Sequence, residues 1–516
     1  MRSLAGVLSL LCAISIPAVD VRADATADYR SLCAPCHGAD RLGGTGPALL
    51  PQSLERLKRE DAAEVVARGR AATRMPAFGD RLDREAIDAV VTHIYTTLPF
   101  VPRWGLEEIR ASRVAPPAPS VDAGRPVFAA DPLNLFVVVE SGDHHVTILD
   151  GDRLEPLARF ASRFALHGGP KFTPDGRYVF FASRDGWVTK YDLWTLSTVG
   201  EIRAGINTRN LAVSGDGRYV MVANYLPHTL VALDARTLDP IRVIEVRDAR
   251  GRSSRVSAVY DAAPRKSFVA ALKDVPELWE LTYDDNAEPV YDGYVHDYRS
   301  REALPVPGPF PPRRTQLDGI LDDFFFDPGY AHVIGASREA AGGHVLNLDV
   351  RRTIASVPLP GLPHLASGIT WRWQGRPVLA TPNLKTGVVS VIDMTTWRPV
   401  RDIPTLGPGF FLRSHENSRF AWVDAFNSAK RDTLQVIDKQ TLEPGPTVTP
   451  SPGKTAAHVE FTRDGRFALV SVWDVEGALV VYDAQTLAEV KRLPMSKPVG
   501  KYNVYNKITR SSGTSH

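Results

Sequence analysis

The sequence predicts two domains of different fold class: a small all-α domain, followed by an all-β eight-bladed propeller. Two observations carry this prediction. Helical periodicity is confined to roughly the first hundred residues, and beyond about residue 130 a strand-and-turn pattern recurs along the chain. At 516 residues the chain is long enough for two or more domains with separate cores.

Residues 1–23 have the pattern of an export leader. Arg2 supplies a positive charge, residues 4–18 form an apolar run, and Val21-Arg22-Ala23 offers a small-residue cleavage site. The apolar run is too short for a permanent anchor, and no later segment is apolar enough to span a bilayer. We therefore expect an exported, periplasmic protein with no membrane span. The formal net charge of +2 also argues against a nucleic-acid partner.

Near the start of the expected mature chain lies the motif Cys33-Ala34-Pro35-Cys36-His37. C-x-x-C-H is the attachment signature of c-type haem, in which two thiols bond the porphyrin and the adjacent imidazole binds the iron. The alternatives are a chance pair, a redox disulfide or half of a zinc site. A zinc site needs further ligands nearby, and a redox pair does not need the histidine. The motif therefore favours one covalent haem c held by Cys33 and Cys36, with His37 as an iron ligand.

Residues 24–100 fit a small helical domain built around this haem. Apolar and charged residues alternate at helical spacing through SLERLKRE, DAAEVVARGR and DREAIDAVVTHIYTTLP. Met75, on the loop TRMPAFGD, stands where class I cytochromes c place a second axial ligand, and His93 is the competing candidate. A haem ligated by His37 and Met75 transfers electrons and does not activate small molecules.

Residues 101–130 are rich in proline and alanine and predict a linker without helical periodicity, which places the propeller in residues 131–516. In that domain an apolar-Asp step, a polar pair and then Leu or Trp recur. The clear copies have Asp at 150, 192, 234, 393, 438 and 483, and weaker copies have it at 284 and 349. Asp-Gly-Arg turns before alternating strands recur between them, at 175, 216 and 464. Eight such units predict eight four-stranded blades, with insertions around 235–348.

Three histidines, His167, His364 and His458, each precede a predicted strand at a similar place in their repeat. In a propeller such positions meet at one axial face, which forms a bowl suited to a flat cofactor. Arg184 and Arg209 lie in neighbouring repeats and could clamp carboxylates. Taken singly, each histidine is as well explained by a surface or capping role, and each arginine by a salt bridge.

A c-type haem domain joined to an eight-bladed propeller resembles the cytochrome cd1 family, over nearly all of the expected mature chain. The stretches that carry the resemblance are ALHGGPKFTPDGRYVFFASRDGWVTKYDLW, GINTRNLAVS, LPHLASG, LVSVW and GKYNVYN. The resemblance implies a non-covalent haem d1 in the propeller, with His167 as the proximal iron ligand. It also places Arg184 and Arg209 beside the carboxylates of haem d1.

The chain departs from the nitrite reductases of this family at one position. Those enzymes carry two distal histidines, and His364 matches one, but GILDDFFFDPGY holds no second histidine and has Asp322 there. With His458 and Tyr502 at the pocket, the chain resembles instead the branch that completes haem d1 synthesis. That branch oxidises a propionate of dihydro-haem d1 to an acrylate, and covalent haem c takes electrons away.

The resemblance therefore implies an oxidoreductase with His364, His458 and Tyr502 as catalytic residues and the tetrapyrrole as both substrate and product. The implied partners are a periplasmic electron acceptor and, transiently, nitrite reductase or other d1 assembly proteins. Two alternatives stay open: a non-enzymatic haem d1 carrier, and a nitrite reductase with an altered distal pocket.

Overall fold

The computed structural model describes residues 24–55, 57–70, 75–100, 102–115, 124–291, 304–337 and 341–509. The expected leader, residues 1–23, lies outside this range. Within the described residues, no helix has both the length and the apolar character needed to cross a membrane.

The N-terminal domain is helical, as predicted. Its first helical stretch runs without a break through α1 (Ala25–Asp28), a π-helical turn (Tyr29–Cys33) and α2 (Ala34–His37), followed by α3 (Pro51–Leu54), α4 (Arg59–Arg68) and α5 (Arg84–Ile94). Asp24 and Asp83 accept hydrogen bonds from main-chain N–H groups of the first turns of α1 and α5, which caps these helices. The predicted helix SLERLKRE does not form as one piece, because α3 ends at Leu54 and α4 begins at Arg59. The last helix ends at Ile94, five residues before the proline expected to stop it.

The expected linker contains a helix, so the prediction of a stretch without helical structure is wrong for residues 106–111. Helix α6 (Leu106–Ala111) begins after Gly105, whose main-chain N–H donates to the Glu108 carboxylate at 2.8 Å. Ile109 is fully buried in a cluster with propeller residues that include Ile202 and Leu238. The connecting segment is thus attached to the propeller surface by apolar burial.

The C-terminal domain consists of eight antiparallel four-stranded sheets, which confirms the propeller. Blade 1 contains β1 (Leu135–Glu140), β2 (His145–Asp150) and β3 (Glu155–Ala161). Blades 2 to 4 contain β4 (Lys171–Phe172), β5 (Tyr178–Ala182), β6 (Trp187–Asp192) and β7 (Ser197–Arg203); β8 (Asn207–Val213), β9 (Tyr219–Leu226), β10 (Thr229–Asp234) and β11 (Pro240–Glu245); β12 (Val256–Ala262), β13 (Ser267–Leu272), β14 (Glu277–Thr282) and β15 (Pro312–Gln316).

Blades 5 to 8 follow the same order in the second half of the chain. They contain β16 (Asp323–Phe326), β17 (His332–Ala336), β18 (Gly343–Asn347) and β19 (Arg352–Val357); β20 (Ile369–Trp373), β21 (Arg376–Pro382), β22 (Val388–Asp393) and β23 (Arg398–Pro404); β24 (Leu412–Arg413), β25 (Phe420–Asp424), β26 (Leu434–Asp438) and β27 (Glu443–Val448); β28 (Ala456–Phe461), β29 (Phe467–Val472), β30 (Ala478–Asp483) and β31 (Glu489–Pro494). The longest insertion, 283–311 between β14 and β15, falls where the sequence predicted one.

The ring is closed by the end of the chain. Strand β32 (Pro498–Asn503) pairs with β1 and completes blade 1, with Tyr502 opposite Val137, before the terminal helix α7 (Val504–Thr509). The repeats do not reveal this closure, because β32 follows the last copy. It joins the first and last blades, which a propeller needs to bury all its sheet faces.

The recurring aspartate has a structural reason. In each clear copy the Asp ends the third strand of its blade, and its carboxylate accepts the N–H two residues on. In every clear copy except Asp192 it also accepts the N–H three residues on, as Asp393 does at 2.8 and 3.1 Å. The Leu or Trp that follows adopts a positive φ, 53° at Trp397, which turns the chain into the outer strand. In blade 5 this role belongs to Asn347 and not to the predicted Asp349. The other weak copy differs as well: Asp284 lies two residues beyond the end of β14, whereas the Asp of a clear copy is the last residue of its strand.

The Asp-Gly-Arg turns form as predicted. Gly176, Gly217 and Gly465 have φ of 72°, 73° and 74°, a conformation that only glycine adopts easily, and each turn leads into the next strand of its blade.

The two domains share a small buried interface. Ala48 and Leu50 of the helical domain pack with Ile206 and Leu226 of the propeller, and Trp104 of the connecting segment lies against them. This contact holds residues 38–50, the loop between α2 and α3 that we call the haem c loop, against blade 3 and the chain that leads into it.

Candidate functional site

The four predicted haem c residues meet at one cavity. Cys33, Cys36, His37 and Met75 all line it, and both cysteines are free thiols. The His37 Nδ1 lies 2.7 Å from the carbonyl oxygen of Pro47, which accepts its proton and leaves Nε2 with the lone pair. Burial lowers the pKa of His37, so the imidazole is neutral and able to bind a metal. The set fits a covalent haem c.

The competing axial ligand, His93, is differently placed. Its ring packs on Tyr29 with centroids 5.1 Å apart, and its carbonyl accepts a hydrogen bond from Arg41. Because Met75 lines the cavity and His93 packs on Tyr29, the geometry favours the thioether.

The same cavity extends to the propeller. Its volume is about 1840 Å³, and its propeller lining includes His167, Arg184, Arg209, Lys273, Asp323 and His364. The predicted haem c site and most of the predicted propeller site therefore face one continuous space.

His167 is oriented by the two predicted arginines. Its Nδ1 lies 2.7 Å from the Arg209 carbonyl oxygen and 3.1 Å from Arg209 Nη1, and the nearer carbonyl, which can only accept, places the proton on Nδ1. Arg184 Nη2 donates to Nε2 at 2.9 Å. The lone pair on Nε2 is the one that a metal would take.

His364 occupies another part of the cavity wall. Its Nδ1 is 2.7 Å from the Phe410 carbonyl oxygen, and its Nε2 is 3.9 Å from the Asp323 carboxylate. Burial lowers the pKa of His364, an effect that the nearby Asp323 opposes. Burial also raises the pKa of Asp323, whose carboxylate accepts from the Tyr260 hydroxyl at 3.2 Å. The three form a polar cluster able to hold a proton.

Asp322, predicted at the position of a second distal histidine, also lines the cavity. Its Oδ1 lies 2.5 Å from Lys273 Nζ. At this position the pocket therefore has a carboxyl group held by a lysine where the resemblance places an imidazole.

A row of aromatic rings links His364 to the other two catalytic candidates. Successive centroids are 4.3 Å apart for His364 and Phe410, 4.7 Å for Phe410 and Phe411, 4.9 Å for Phe411 and His458, and 5.2 Å for His458 and Tyr502. Neither His458 nor Tyr502 belongs to the cavity lining formed by the described residues. They stand behind that wall, in contact with it through Phe411.

His458 lies within β28, at a bulge with φ of 52°, and not before the strand as predicted. The Lys501 ammonium donates to its main-chain carbonyl and to Ser471 Oγ. Burial, followed by the charges of Lys501 and Arg413, holds the pKa of His458 well below its usual value. Its Nδ1 has no hydrogen-bond partner among the described residues. The imidazole is therefore neutral and keeps a lone pair that can accept a proton, but burial and the nearby cations make it a weaker base than an ordinary histidine.

Tyr502 lies in the closing strand β32, beside the loop that carries His167. A Cβ on Gly169 would lie 3.2 Å from its hydroxyl oxygen, and Gly169 has φ of 70°, so the close approach needs glycine there. Burial raises the pKa of Tyr502 to about 12, which keeps the hydroxyl protonated.

Sequence reasoning missed several residues of this site. Asp323 adjoins Asp322, and Lys501 lies within the stretch GKYNVYN, but no motif in the sequence gives either residue a role. Tyr260 and Lys273 come from blade 4 and carry no motif. Only contacts between blades reveal them.

Fold and site together define a class of protein, a cytochrome c domain joined to a propeller with a cofactor-sized bowl. Comparison with known proteins agrees: residues 130–296 and 306–507 match the family described as Cytochrome D1 heme domain. Residues 21–94 match the family described as Cytochrome C oxidase, cbb3-type, subunit III. The chain belongs to the Cytochrome D1 heme domain family.

Individual relatives are more specific. The chain is 59% identical to the dihydro-heme d1 dehydrogenase of Pseudomonas aeruginosa, over 95% of each chain. It is 24% identical to a nitrite reductase of Stutzerimonas stutzeri, over 93% of this chain and 91% of that one. A solved structure of dihydro-heme d1 dehydrogenase NirN in complex with DHE superposes with a TM-score of 0.87 at 59% identity, covering 93% of this chain and 99% of that chain.

Proposed function

We propose that this chain is an oxidoreductase that dehydrogenates a propionate side chain of dihydro-haem d1 to the acrylate of haem d1. The observation that carries the proposal is the 59% identity to a dihydro-heme d1 dehydrogenase over nearly the whole of both chains. The continuous cavity supports it, because a substrate in the propeller would share one space with the haem c residues.

The reaction converts –CH2–CH2– to –CH=CH– and releases two protons and two electrons. Cys33, Cys36, His37 and Met75 would hold covalent haem c, which would supply a one-electron acceptor. The iron of the bound substrate can take the second electron, and a periplasmic acceptor then reoxidises the protein. With Met75 as a second ligand beside His37, the haem would transfer electrons and would not bind small molecules.

The propeller residues would hold the substrate by its iron and its carboxylates. His167 presents Nε2 as a metal ligand, and Arg184 and Arg209 stand beside it as carboxylate partners. Arg184 Nη2 is hydrogen-bonded to the same Nε2, so iron bound at Nε2 would displace this donor, which could then turn to a carboxylate of the substrate.

The protons would be taken up by the polar groups at the two ends of the aromatic row, and not along it, because the Phe410 and Phe411 rings cannot carry a proton. His458 has the neutral imidazole that a base needs, and Tyr502 keeps a hydroxyl that can orient the propionate. His364, backed by Asp323, is the second group able to hold a proton. Phe411 lies between His458 and the cavity-lining Phe410, so the propionate of the substrate would reach His458 only by entering between these side chains.

The Asp322–Lys273 ion pair argues against nitrite reduction. Cleaving a nitrogen–oxygen bond of nitrite requires proton donors at the iron, and here one of the two expected imidazoles is a carboxylate already paired with an ammonium. A carrier role would need no covalent haem. The dehydrogenase accounts for both observations.

The proposal extends to location and partners. Export by residues 1–23 would place the protein in the periplasm, where it would release product to nitrite reductase or to other d1 assembly proteins.

One experiment separates the three functions. The haem-c-loaded protein is mixed with dihydro-haem d1 and an electron acceptor, and the tetrapyrrole is identified by its spectrum and mass. Loss of two hydrogen atoms supports the dehydrogenase. Binding without conversion indicates a carrier, and nitric oxide production from nitrite by the d1-loaded protein indicates a reductase.

A further inference from the structure

One buried side chain joins the two domains and the segment between them. Arg203, the last residue of β7, is 3% exposed. Its Nε donates to the Asp185 carbonyl at 2.8 Å, and its Nη2 donates to the Leu42 carbonyl of the helical domain. Its guanidinium carbon lies 4.7 Å from the centre of the Trp104 ring.

Both carbonyls lead directly to predicted iron ligands. Asp185 follows Arg184, which donates to His167 Nε2. Leu42 precedes Gly43, whose N–H donates to the His37 carbonyl at 2.8 Å. Arg203 therefore lies between the haem c residues and the propeller residues of the site. One peptide unit separates each of its two carbonyl partners from a residue that contacts His37 or His167.

The fit around Arg203 is tight. A Cβ on Gly43 would lie 2.8 Å from Arg203 Nη2, and Gly43 has φ of 86°, so only glycine fits. Trp104 Nε1 in turn donates to the Arg203 carbonyl at 2.8 Å. Burial lowers the pKa of Arg203 to about 10, with Asp185 as the opposing charge, so the guanidinium remains charged at neutral pH.

We propose that Arg203 is a positioning residue that fixes the haem c loop relative to the propeller pocket and so sets the rate of electron transfer between them. This rests on the proposed function, because it presumes that electrons pass from the propeller to haem c. A buried cation between two carbonyls is costly unless both contacts are kept, and a planar fork reaches both at once. Lysine has all its donors on one nitrogen, so it cannot reproduce the spacing between Nε and Nη2 that places a donor on each of these two carbonyls.

The test compares Arg203→Met and Arg203→Lys with a matched control, Arg265→Met. Arg265 is another partly buried arginine, but its partners Glu280 and Asp349 both lie in the propeller. Hydrogen exchange of residues 42–46 and 104–112 is measured in the holoprotein without substrate. Mixing with dihydro-haem d1 then gives substrate affinity and the rate of haem c reduction, and ascorbate gives the direct reduction rate of haem c.

For Arg203→Met we expect exchange in both segments to accelerate by about 10- to 100-fold, the range for a lost charge-assisted hydrogen bond. Haem c reduction by substrate should slow by about tenfold or more, because small misplacements of reacting partners are costly. Affinity and ascorbate reduction should stay within about threefold. Arg203→Lys should fall between, and Arg265→Met should match the parent in all four measurements.

Hydrogen exchange at the parental rate in Arg203→Met would overturn the proposal. An equal loss of substrate affinity, of ascorbate reduction and of haem c reduction by substrate would also overturn it. Failure of the parent to convert dihydro-haem d1 would contradict the proposed function instead. The exchange measurement would still decide whether Arg203 fixes the two domains.

Discussion

His167 shows how a single residue can be prepared for a ligand by its neighbours. The Arg209 carbonyl fixes the proton on Nδ1, and Arg184 donates to Nε2. Arg184 is therefore bound to the atom that the substrate iron would take, while its charge suits a carboxylate. Its hydrogen-bond partner is expected to change when substrate binds.

Replacing Arg184 by Met should weaken substrate binding more than it slows conversion. A charge-assisted contact contributes about 1.5–3 kcal/mol, so we expect Kd to rise by roughly 10- to 100-fold. Titration of the tetrapyrrole spectrum measures this. Iron ligation by His167 should persist, and an unchanged Kd would exclude Arg184 from carboxylate binding.

His458 is the proposed proton acceptor, and its surroundings determine the pH range over which its imidazole is unprotonated. Because burial and nearby cations lower its pKa, the imidazole stays unprotonated as pH falls through 6.5, where an ordinary histidine becomes charged. We therefore expect the conversion rate to show no histidine inflection between pH 8 and pH 6. A stopped-flow pH profile measures it.

His458→Gln should lower the conversion rate by about 10²- to 10⁴-fold, the usual loss of a general base, with affinity nearly unchanged. Tyr502→Phe serves as the companion variant, since it keeps the ring and removes the hydroxyl. Equal loss of binding and conversion in His458→Gln would contradict its role as a base.

At the scale of elements, the closing strand β32 connects fold and function. It completes blade 1, carries Tyr502, and places the buried Lys501 ammonium on the carbonyl of the His458 bulge. The ring closure and the geometry of the site thus depend on the same six residues, Pro498–Asn503.

Lys501→Met should destabilise the propeller and disturb His458 together. The His458 carbonyl and Ser471 Oγ would lose their donor, at a cost of about 1–3 kcal/mol in the free energy of unfolding. The lost positive charge should also move the pKa of His458 upward. Denaturant unfolding and the pH profile report the two effects, and Lys491→Met, in the outer strand β31, should change neither. Unchanged stability in Lys501→Met would show that the buried contact is dispensable.

Most elements of the fold could be predicted because their turns are chemically explicit. An aspartate that accepts two N–H groups, or a glycine at positive φ, is visible in sequence, and the repeat exposed eight blades. The equivalence of Asn347 with Asp393 was missed, because asparagine forms the same turn without matching the pattern. Helix α6 and strand β32 were missed because each is stabilised by packing on distant residues.

The site divides in the same way. His167, Arg184, Arg209 and His364 stand out by their places in the repeat, the family resemblance implies their roles, and all four line the cavity. Asp323 and Tyr260 could not be predicted from the repeat, because their roles arise from a contact between different blades. His458 was identified, but its position inside a bulged strand was not foreseen.

At the scale of the whole molecule, one cavity is lined by both domains, and the Arg203 contacts join them. The helical domain alone offers an electron acceptor, and the propeller alone offers a binding bowl. Their combination suits an enzyme that oxidises a bound tetrapyrrole.

The most direct test of this account is an anaerobic single turnover with oxidised haem c, dihydro-haem d1 and no added acceptor. The account predicts haem c reduction at the same rate as acrylate formation, with one haem c reduced per acrylate formed. A Cys33→Ser, Cys36→Ser double variant, which lacks covalent haem, should bind substrate and form no acrylate under these conditions. Acrylate formation with haem c still oxidised, or at the parental rate in the double variant, would contradict the account.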